Sequence, residues 1–350
     1  MPDINFQDYR GSDEYSDGPI EDELLALAGR PESYGEALAR ETRWPILYHL
    51  SPERRNLLEW FPFRRDAALI EIGAGCGALT GLFAERTAQV TAVELSARRC
   101  RIIAARHARA ANLEIRAGNI ADMEIPGRFD YATLIGVLEY ARAFLPGAEP
   151  ARILLERAAR LLKPDGLLFV ALENRLGLKY WAGAREDHTG RLFDGLEGYP
   201  AGGNAETFSR PELIRLLKAS GFRDLSFYYP HPDYKLPREI FSDNALPQPG
   251  RRLEGAPNYD QERLVLFDEP RNQPGCRGVK GGAEFDLHGF SSLCLSVTLS
   301  GSAGAWLDAG SSSSPPLRPC RPLRGARGRS RPCRGPARSR RGRPTSPRGS

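Results

Sequence analysis

Between residues 67 and 229, short apolar runs alternate with amphipathic stretches, which predicts an α/β fold built on a doubly wound, mostly parallel sheet. Ala67 to Ile72 is apolar apart from Glu71 and suits a strand buried on both faces, with a helix over Ala78 to Arg86 behind it. Further strands are expected at Gln89 to Glu94, Leu113 to Ala117 and Phe129 to Ile135. Pro150 to Leu162 carries Ile153, Leu154 and Leu161 at helical spacing and stops at Lys163-Pro-Asp-Gly166, before a fifth strand at Leu167 to Leu172. Ser209-Arg-Pro-Glu212 is a capping box opening a helix to Lys218, and Phe222 to Tyr229 reads as a sixth strand. Ile20 to Ala28 and Ser51 to Trp60 read as helices ahead of the first strand.

The first strand runs straight into chemistry, as Leu69-Ile-Glu-Ile-Gly-Ala-Gly-Cys-Gly77. Glycines at 73, 75 and 77 can adopt backbone angles closed to other residues and let a ligand approach the main chain. The helix that follows presents free N–H groups at its start. Gly73, Gly75 and Ala78 also fit the looser dinucleotide pattern, so two nucleotide-cofactor classes suit the turn. Glu71 favours one of them: an acid beside the turn repels a pyrophosphate, yet complements the ammonium and sulfonium of S-adenosylmethionine. Glu94, ending the second strand, is placed to accept a pair of ribose hydroxyls from either cofactor. After the third strand, the amide of Asn119, beside Ile120, can meet an adenine edge or simply form a turn. Gly136-Val-Leu-Glu139 follows the fourth strand at the carboxyl edge, where such sheets bind ligands; Glu139 can equally cap a short helix.

Charge divides the chain unevenly. Residues 271–350 carry 14 Arg and one Lys against Glu284, Asp286 and Asp308, a net of +12, so the overall +5 conceals a remainder near −7. From Ser311 onward there is no acid, and the Ser, Pro, Gly and Arg text cannot bury enough apolar surface to fold, so disorder is expected. This tail reads either as a nucleic-acid-binding arm or as translation in a shifted frame. The expected organisation is therefore an acidic, helical segment over 1–60 serving as a lid, a cofactor-binding domain over 61–270, and a low-complexity tail over 271–350. No span of membrane length is present, and the acidic start lacks the features of a secretory signal, so a cytoplasmic address is expected. Cys76 and Cys100 are the cysteines before residue 271 and show no metal-type spacing; Cys276, Cys294, Cys320 and Cys333 are too scattered for zinc, so no metal is assigned. Cys76 suits the turn as a small residue.

Over roughly residues 45 to 240 the chain resembles the class I S-adenosylmethionine-dependent methyltransferases. Glu71 to Gly77 is similar to that family's first motif, Glu94 to its ribose-binding acid, Asn119 to its adenine-contact position, where Asp is commoner, and Lys163-Pro-Asp-Gly166 to the turn before its fifth strand. The resemblance implies a seventh strand inserted antiparallel between the fifth and sixth, for which Leu264 to Phe267 and Leu293 to Leu299 are the candidates. The resemblance fades after about Asp268, favouring the shifted frame for the tail. A narrower resemblance rests on Leu50-Ser-Pro-Glu-Arg-Arg-Asn-Leu-Leu58, Leu134-Ile-Gly-Val-Leu-Glu-Tyr140, Glu173-Asn-Arg-Leu-Gly-Leu-Lys-Tyr-Trp-Ala-Gly183 and Glu186-Asp-His-Thr-Gly190. It points to a bacterial subgroup associated with glycosyltransferases of surface-polysaccharide assembly, and implies a saccharide or glycan acceptor and a glycosyltransferase partner.

The stretch from Glu173 through Arg191 would complete the chemistry over the sheet edge. A sugar hydroxyl would need a base, and Glu139, Glu173, Asp187 and His188 are the candidates, with Asp187 raising the basicity of His188 or His188 serving structure instead. Tyr180 and Trp181 either stack on a sugar face or pack beneath the loop. Two other functions use the same features: a nicotinamide-dependent oxidoreductase through the glycine turn, and a non-catalytic binding module directed to RNA by the tail.

Overall fold

The computed structural model describes residues 1–11, 16–30, 34–181, 183–247 and 292–299. In chain order they form β1 (Ile4–Asn5), α1 (Ile20–Ala28), α2 (Tyr34–Ala39), α3 (Trp44–Leu50), β2 (Ala68–Ile72), α4 (Thr80–Arg86), β3 (Gln89–Glu94), α5 (Ala97–Arg106), β4 (Leu113–Ala117) and β5 (Phe129–Ile135). There follow α6 (Ala141–Phe144), α7 (Pro150–Leu161), β6 (Leu162–Glu173), α8 (Leu178–Trp181), α9 (Arg210–Ala219), β7 (Phe222–His231), β8 (Glu239–Ser242) and β9 (Ser292–Leu299). The strands make one sheet in the order β1-β4-β3-β2-β5-β6-β9-β7-β8. From β1 to β6 every pairing is parallel; β9 runs antiparallel between β6 and β7. This is the doubly wound, mostly parallel sheet that the alternation of patterns predicts.

Two-face burial explains the near-continuous apolar runs. Ile70, Ile72, Leu134, Leu168, Val170 and Leu172 point into one layer with α7 and α9, while Leu69, Tyr131, Phe169 and Ala171 point into the other with α4 and α5. The chain order places the ends of β2 and β5 side by side at the sheet's centre, where the winding direction reverses and a crevice opens.

The local expectations differ from the structure in three places. Ser51 to Trp60 is not an α-helix: α3 ends at Leu50 and a 3₁₀ turn covers Pro52–Leu57, because Pro52 has no N–H to continue the α ladder. The fifth strand begins at Leu162 rather than Leu167, with Lys163 to Gly166 absorbed as a register shift against Phe129 and Tyr131. Gly166 is required there, since a Cβ would stand 3.0 Å from the Phe129 carbonyl oxygen. The third place is the segment expected to be disordered or out of frame. Within it, Ser292–Leu299 is the antiparallel strand, pairing Leu293 with Leu172 and Leu295 with both Val170 and Phe227. The domain therefore reaches past the expected boundary at 270. The other candidate, Leu264 to Phe267, and the tail beyond residue 300 lie outside the described residues. Among the described residues, no helix is long and apolar enough to cross a membrane.

The N-terminal helices are fastened by charge, which the pattern of apolar positions does not reveal. The Arg99 guanidinium on α5 donates to Glu21 on α1 at 2.8 Å and to Asp17 at 2.9 Å, and His49 Nε2 lies 3.0 Å from the same Asp17 oxygen. Leu24, Ile46 and Leu50 then pack against Ile102 and Cys76.

Leu295 is fully buried between β6 and β7. Leu295→Ala is expected to lower the unfolding free energy by about 2–5 kcal/mol, read as a lower urea midpoint at unchanged slope. An unchanged midpoint would remove β9 from the sheet.

Candidate active site

The crevice at the strand ends is a cavity of about 190 Å³ lined by the glycine turn, Glu71, Glu94, Asn119, Ile120, Thr133, Gly136 and Tyr140, and on its outer side by Asp17, Tyr48, His49 and Arg54. The turn has the geometry its composition requires: Gly73, Gly75 and Gly77 have φ of +74°, +56° and +75°. A Cβ on Gly73 would collide with Val137 at 2.4 Å, whereas one on Gly75 would meet nothing within 4 Å. Gly75 thus leaves a bare stretch of backbone beside the cavity. Cys76 is a buried filler whose thiol is pushed up by burial, unsuited to act as a nucleophile.

Both strand-end acids of this half are withdrawn from water. Glu94 accepts from the Gly75 N–H at 2.8 Å and the Ser96 N–H at 3.0 Å, so it shapes the turn while lining the cavity. Burial raises its pKa. Glu71 accepts from the Thr80 hydroxyl at 2.6 Å, and burial pushes its carboxyl up to about 8. Asn119 donates to the Phe144 carbonyl at 3.1 Å and accepts from the Ala121 N–H at 3.0 Å, the turn role, at the cavity wall.

A second cluster lies just behind Gly136. A Cβ at that glycine would stand 2.9 Å from the Tyr234 hydroxyl and 3.7 Å from Glu139 Oε1, so one residue separates the cavity from Glu139. Glu139 does not cap its 3₁₀ turn, Leu138–Tyr140; the residue is 1 % exposed, and neither carboxyl oxygen has a hydrogen-bond partner in another of the described residues. Burial, then the neighbouring Glu173, pushes it up to about 8. Glu173, at the end of β6, takes a 2.5 Å ion pair from Lys235 and faces His188 Nε2 at 3.8 Å.

Of the four proposed base residues, the fold brings Glu139, Glu173 and His188 together, but it separates Asp187 from His188. Asp187 turns to Lys179 at 3.0 Å and Lys235 at 3.5 Å. The partner of His188 is Glu186, whose Oε1 lies 3.0 Å from Nδ1 and whose Oε2 accepts the N–H of His188 and of Thr189, each at 2.7 Å. Two residues apart in a tight turn, rather than adjacent, the carboxylate and ring can face each other. Burial alone would lower His188, but the Glu186 hydrogen bond and the charges of Glu173 and Glu139 outweigh it and hold the imidazole up to about 9. Its ring also packs edge-on against Tyr140, 5.1 Å away, which lines the cavity. Tyr180 is buried, while Trp181 is 59 % exposed. Sequence reasoning missed Lys179, Tyr199, Tyr234 and Lys235; Tyr199 buttresses Glu186 through its hydroxyl at 3.2 Å. Lys179 and Glu186 carried a signal, standing within the Glu173 to Gly183 and Glu186 to Gly190 runs.

The raised carboxyl of Glu71 makes a pH prediction. The folded chain holds a proton there that an ordinary carboxyl, at 4.5, releases, so this group's contribution is full below about pH 4.5 and is lost as pH rises through about 8. Glu71→Gln, a neutral isostere, is expected to gain stability relative to the parent between about pH 5 and about pH 9, measured by urea midpoints. A constant offset would mean that Glu71 is ionised throughout.

Against known proteins, residues 70–168 match a family profile described as "Methyltransferase domain". Curated relatives include the ubiquinone biosynthesis O-methyltransferases of Stutzerimonas stutzeri, 30% identical over 149 residues, covering 40% of this chain and 61% of that protein, and of Leptothrix cholodnii, 30% identical over 142 residues, covering 39% and 57%. The chain thus spans about three fifths of the length of the curated relatives it matches. A crystal structure of an S-adenosylmethionine-dependent methyltransferase of Thermotoga maritima, possibly a histamine N-methyltransferase, aligns at 16% identity and a TM-score of 0.42 over 79% of this chain and 99% of that one. The glycine turn, Glu94, Asn119 and Glu139 all fall inside the stretch that is similar to a methyltransferase domain.

Proposed function

We propose that the chain is an S-adenosylmethionine-dependent O-methyltransferase acting on a hydroxyl of a saccharide or glycan intermediate. The observation that carries the cofactor assignment is the cradle: bare Gly75 backbone beside two buried acids, Glu71 and Glu94, inside the stretch similar to a methyltransferase domain. Glu94 would take the ribose hydroxyls, exchanging its bond from Gly75 for theirs. Glu71 would face the cationic amino-acid end, where an ammonium would draw its carboxyl back toward ionisation. When bound, the cofactor supplies a methyl carbon already activated by its sulfonium.

The chain's own residues then have two tasks. Alignment of the acceptor oxygen with that carbon is worth up to about 7–11 kcal/mol in well-oriented reactions. A hydroxyl must also lose its proton, for which Glu139, Glu173 and His188 behind Gly136 are the candidate acceptors once their own protons are released. Oxygen as the methylated atom is supported by the O-methyltransferase names of the curated relatives, and a sugar by the resemblance of the 173–190 segment together with the exposed indole of Trp181. A glycosyltransferase partner belongs to this reading through the same resemblance, and a cytoplasmic setting through the acidic start of the chain.

Calorimetric titration of the full chain with S-adenosylhomocysteine, with NADH as control, tests the assignment. Saturable binding of the first alone is expected, and Glu94→Ala is expected to weaken it by more than about 1 kcal/mol. Binding of NADH alone would establish an oxidoreductase; binding of neither by a folded chain would leave a non-catalytic module. Unchanged affinity in folded Glu94→Ala would take Glu94 out of the site.

A further inference from the structure

Glu139, Glu173 and His188 come from three separate parts of the chain, and each offers one ligand atom, all within 4.8 Å of one another. Hydrogen bonding leaves this group incomplete: both Glu139 oxygens and Glu173 Oε2 are buried without a hydrogen-bond partner in another of the described residues. Buried carboxylate oxygens left this way are costly, and a cation is the ligand that relieves them. The imidazole is prepared for the same task. Glu186 holds Nδ1 at 3.0 Å and is itself fixed by two backbone N–H groups and the Tyr199 hydroxyl, leaving Nε2 aimed at Glu173. A carboxylate behind a histidine in this way sets the tautomer and orientation of metal-binding imidazoles.

Charge counts in the same direction. With the protons of Glu139 and His188 displaced, as ligation of a cation requires, the carboxylates of Glu139, Glu173, Glu186 and Asp187 outnumber the ammonium groups of Lys179 and Lys235 by two. We propose that Glu139, Glu173 and His188 bind one divalent cation of mixed oxygen and nitrogen preference, of the Mn²⁺ type. Three protein ligands leave coordination positions open, and the site lies one glycine from the cavity, so an acceptor oxygen can complete the shell. The cation site stands on the geometry alone; its role in presenting an acceptor hydroxyl rests on the methyl-transfer reading.

Titration of the full chain with Mn²⁺, followed by loss of the free-ion electron paramagnetic resonance signal, tests it. One saturable Mn²⁺ per chain is expected, weakened about tenfold or more in Glu139→Gln and Glu173→Gln and unchanged in Glu156→Gln on the outer helix. Circular dichroism reports whether each variant folds, and His188→Gln is read in the same way should either Glu variant fail. Absence of saturable uptake by the parent chain, or uptake undiminished in folded Glu139→Gln or His188→Gln, would overturn the proposal. S-adenosylhomocysteine binding without Mn²⁺ uptake would remove the cation and spare the methyl donor; Mn²⁺ uptake without S-adenosylhomocysteine binding would do the reverse.

Discussion

Four glutamates at the ends of four neighbouring parallel strands, each held out of water, set the terms for the rest of this structure. Glu71 lies next to the end of β2, Glu94 ends β3, Glu139 follows β5 and Glu173 ends β6, and each is at most 5 % exposed. A parallel sheet covered on both faces delivers all its strand ends to one edge, so these acids share a low-dielectric crevice where unpaired charge is costly. Each must therefore be hydrogen-bonded, neutralised, paired with a cation or left for a ligand. The structure answers differently for each: the Thr80 hydroxyl for Glu71, backbone N–H groups for Glu94, Lys235 for part of Glu173, and no hydrogen bond from another described residue for Glu139, with burial pushing both Glu71 and Glu139 up to about 8.

Those four answers divide the crevice into two halves with different chemistry. Around Glu71 and Glu94, glycines at positive φ expose backbone on the cavity wall, the half to which the proposed function assigns the methyl donor. Around Glu139 and Glu173, ionisable side chains from separate parts of the chain converge on a small volume, the setting in which proton affinities shift. Gly136 is the wall between them. On the outer side, Arg99 pairs with Asp17 and Glu21 and ties the N-terminal helix α1 to α5.

What the sequence made legible follows the range of the interactions involved. The strands β2 to β5, the glycine turn, the α9 capping box and Glu94 are local patterns, each written within about a dozen residues. Interactions across long separations were not legible: Arg99 meets residues some 80 positions earlier, and Lys235 meets Glu173 some 60 positions away. The antiparallel strand β9 could be named from its apolar run, but Leu264 to Phe267 offered a second such run, and its position past residue 271 put it in the tail whose resemblance to the family had faded. Glu186 rather than Asp187 as the partner of His188 depends on side-chain direction within a turn, which residue order does not encode.

The central claim is that the methyl donor and the acidic cluster meet across Gly136. A crystal structure of the chain with S-adenosylhomocysteine tests it most directly. The account predicts ribose hydroxyls on Glu94 and the sulfur turned toward the Gly136 to Glu139 turn. A ligand lodged elsewhere, or in the cradle with its sulfur directed away from Glu139, would contradict it.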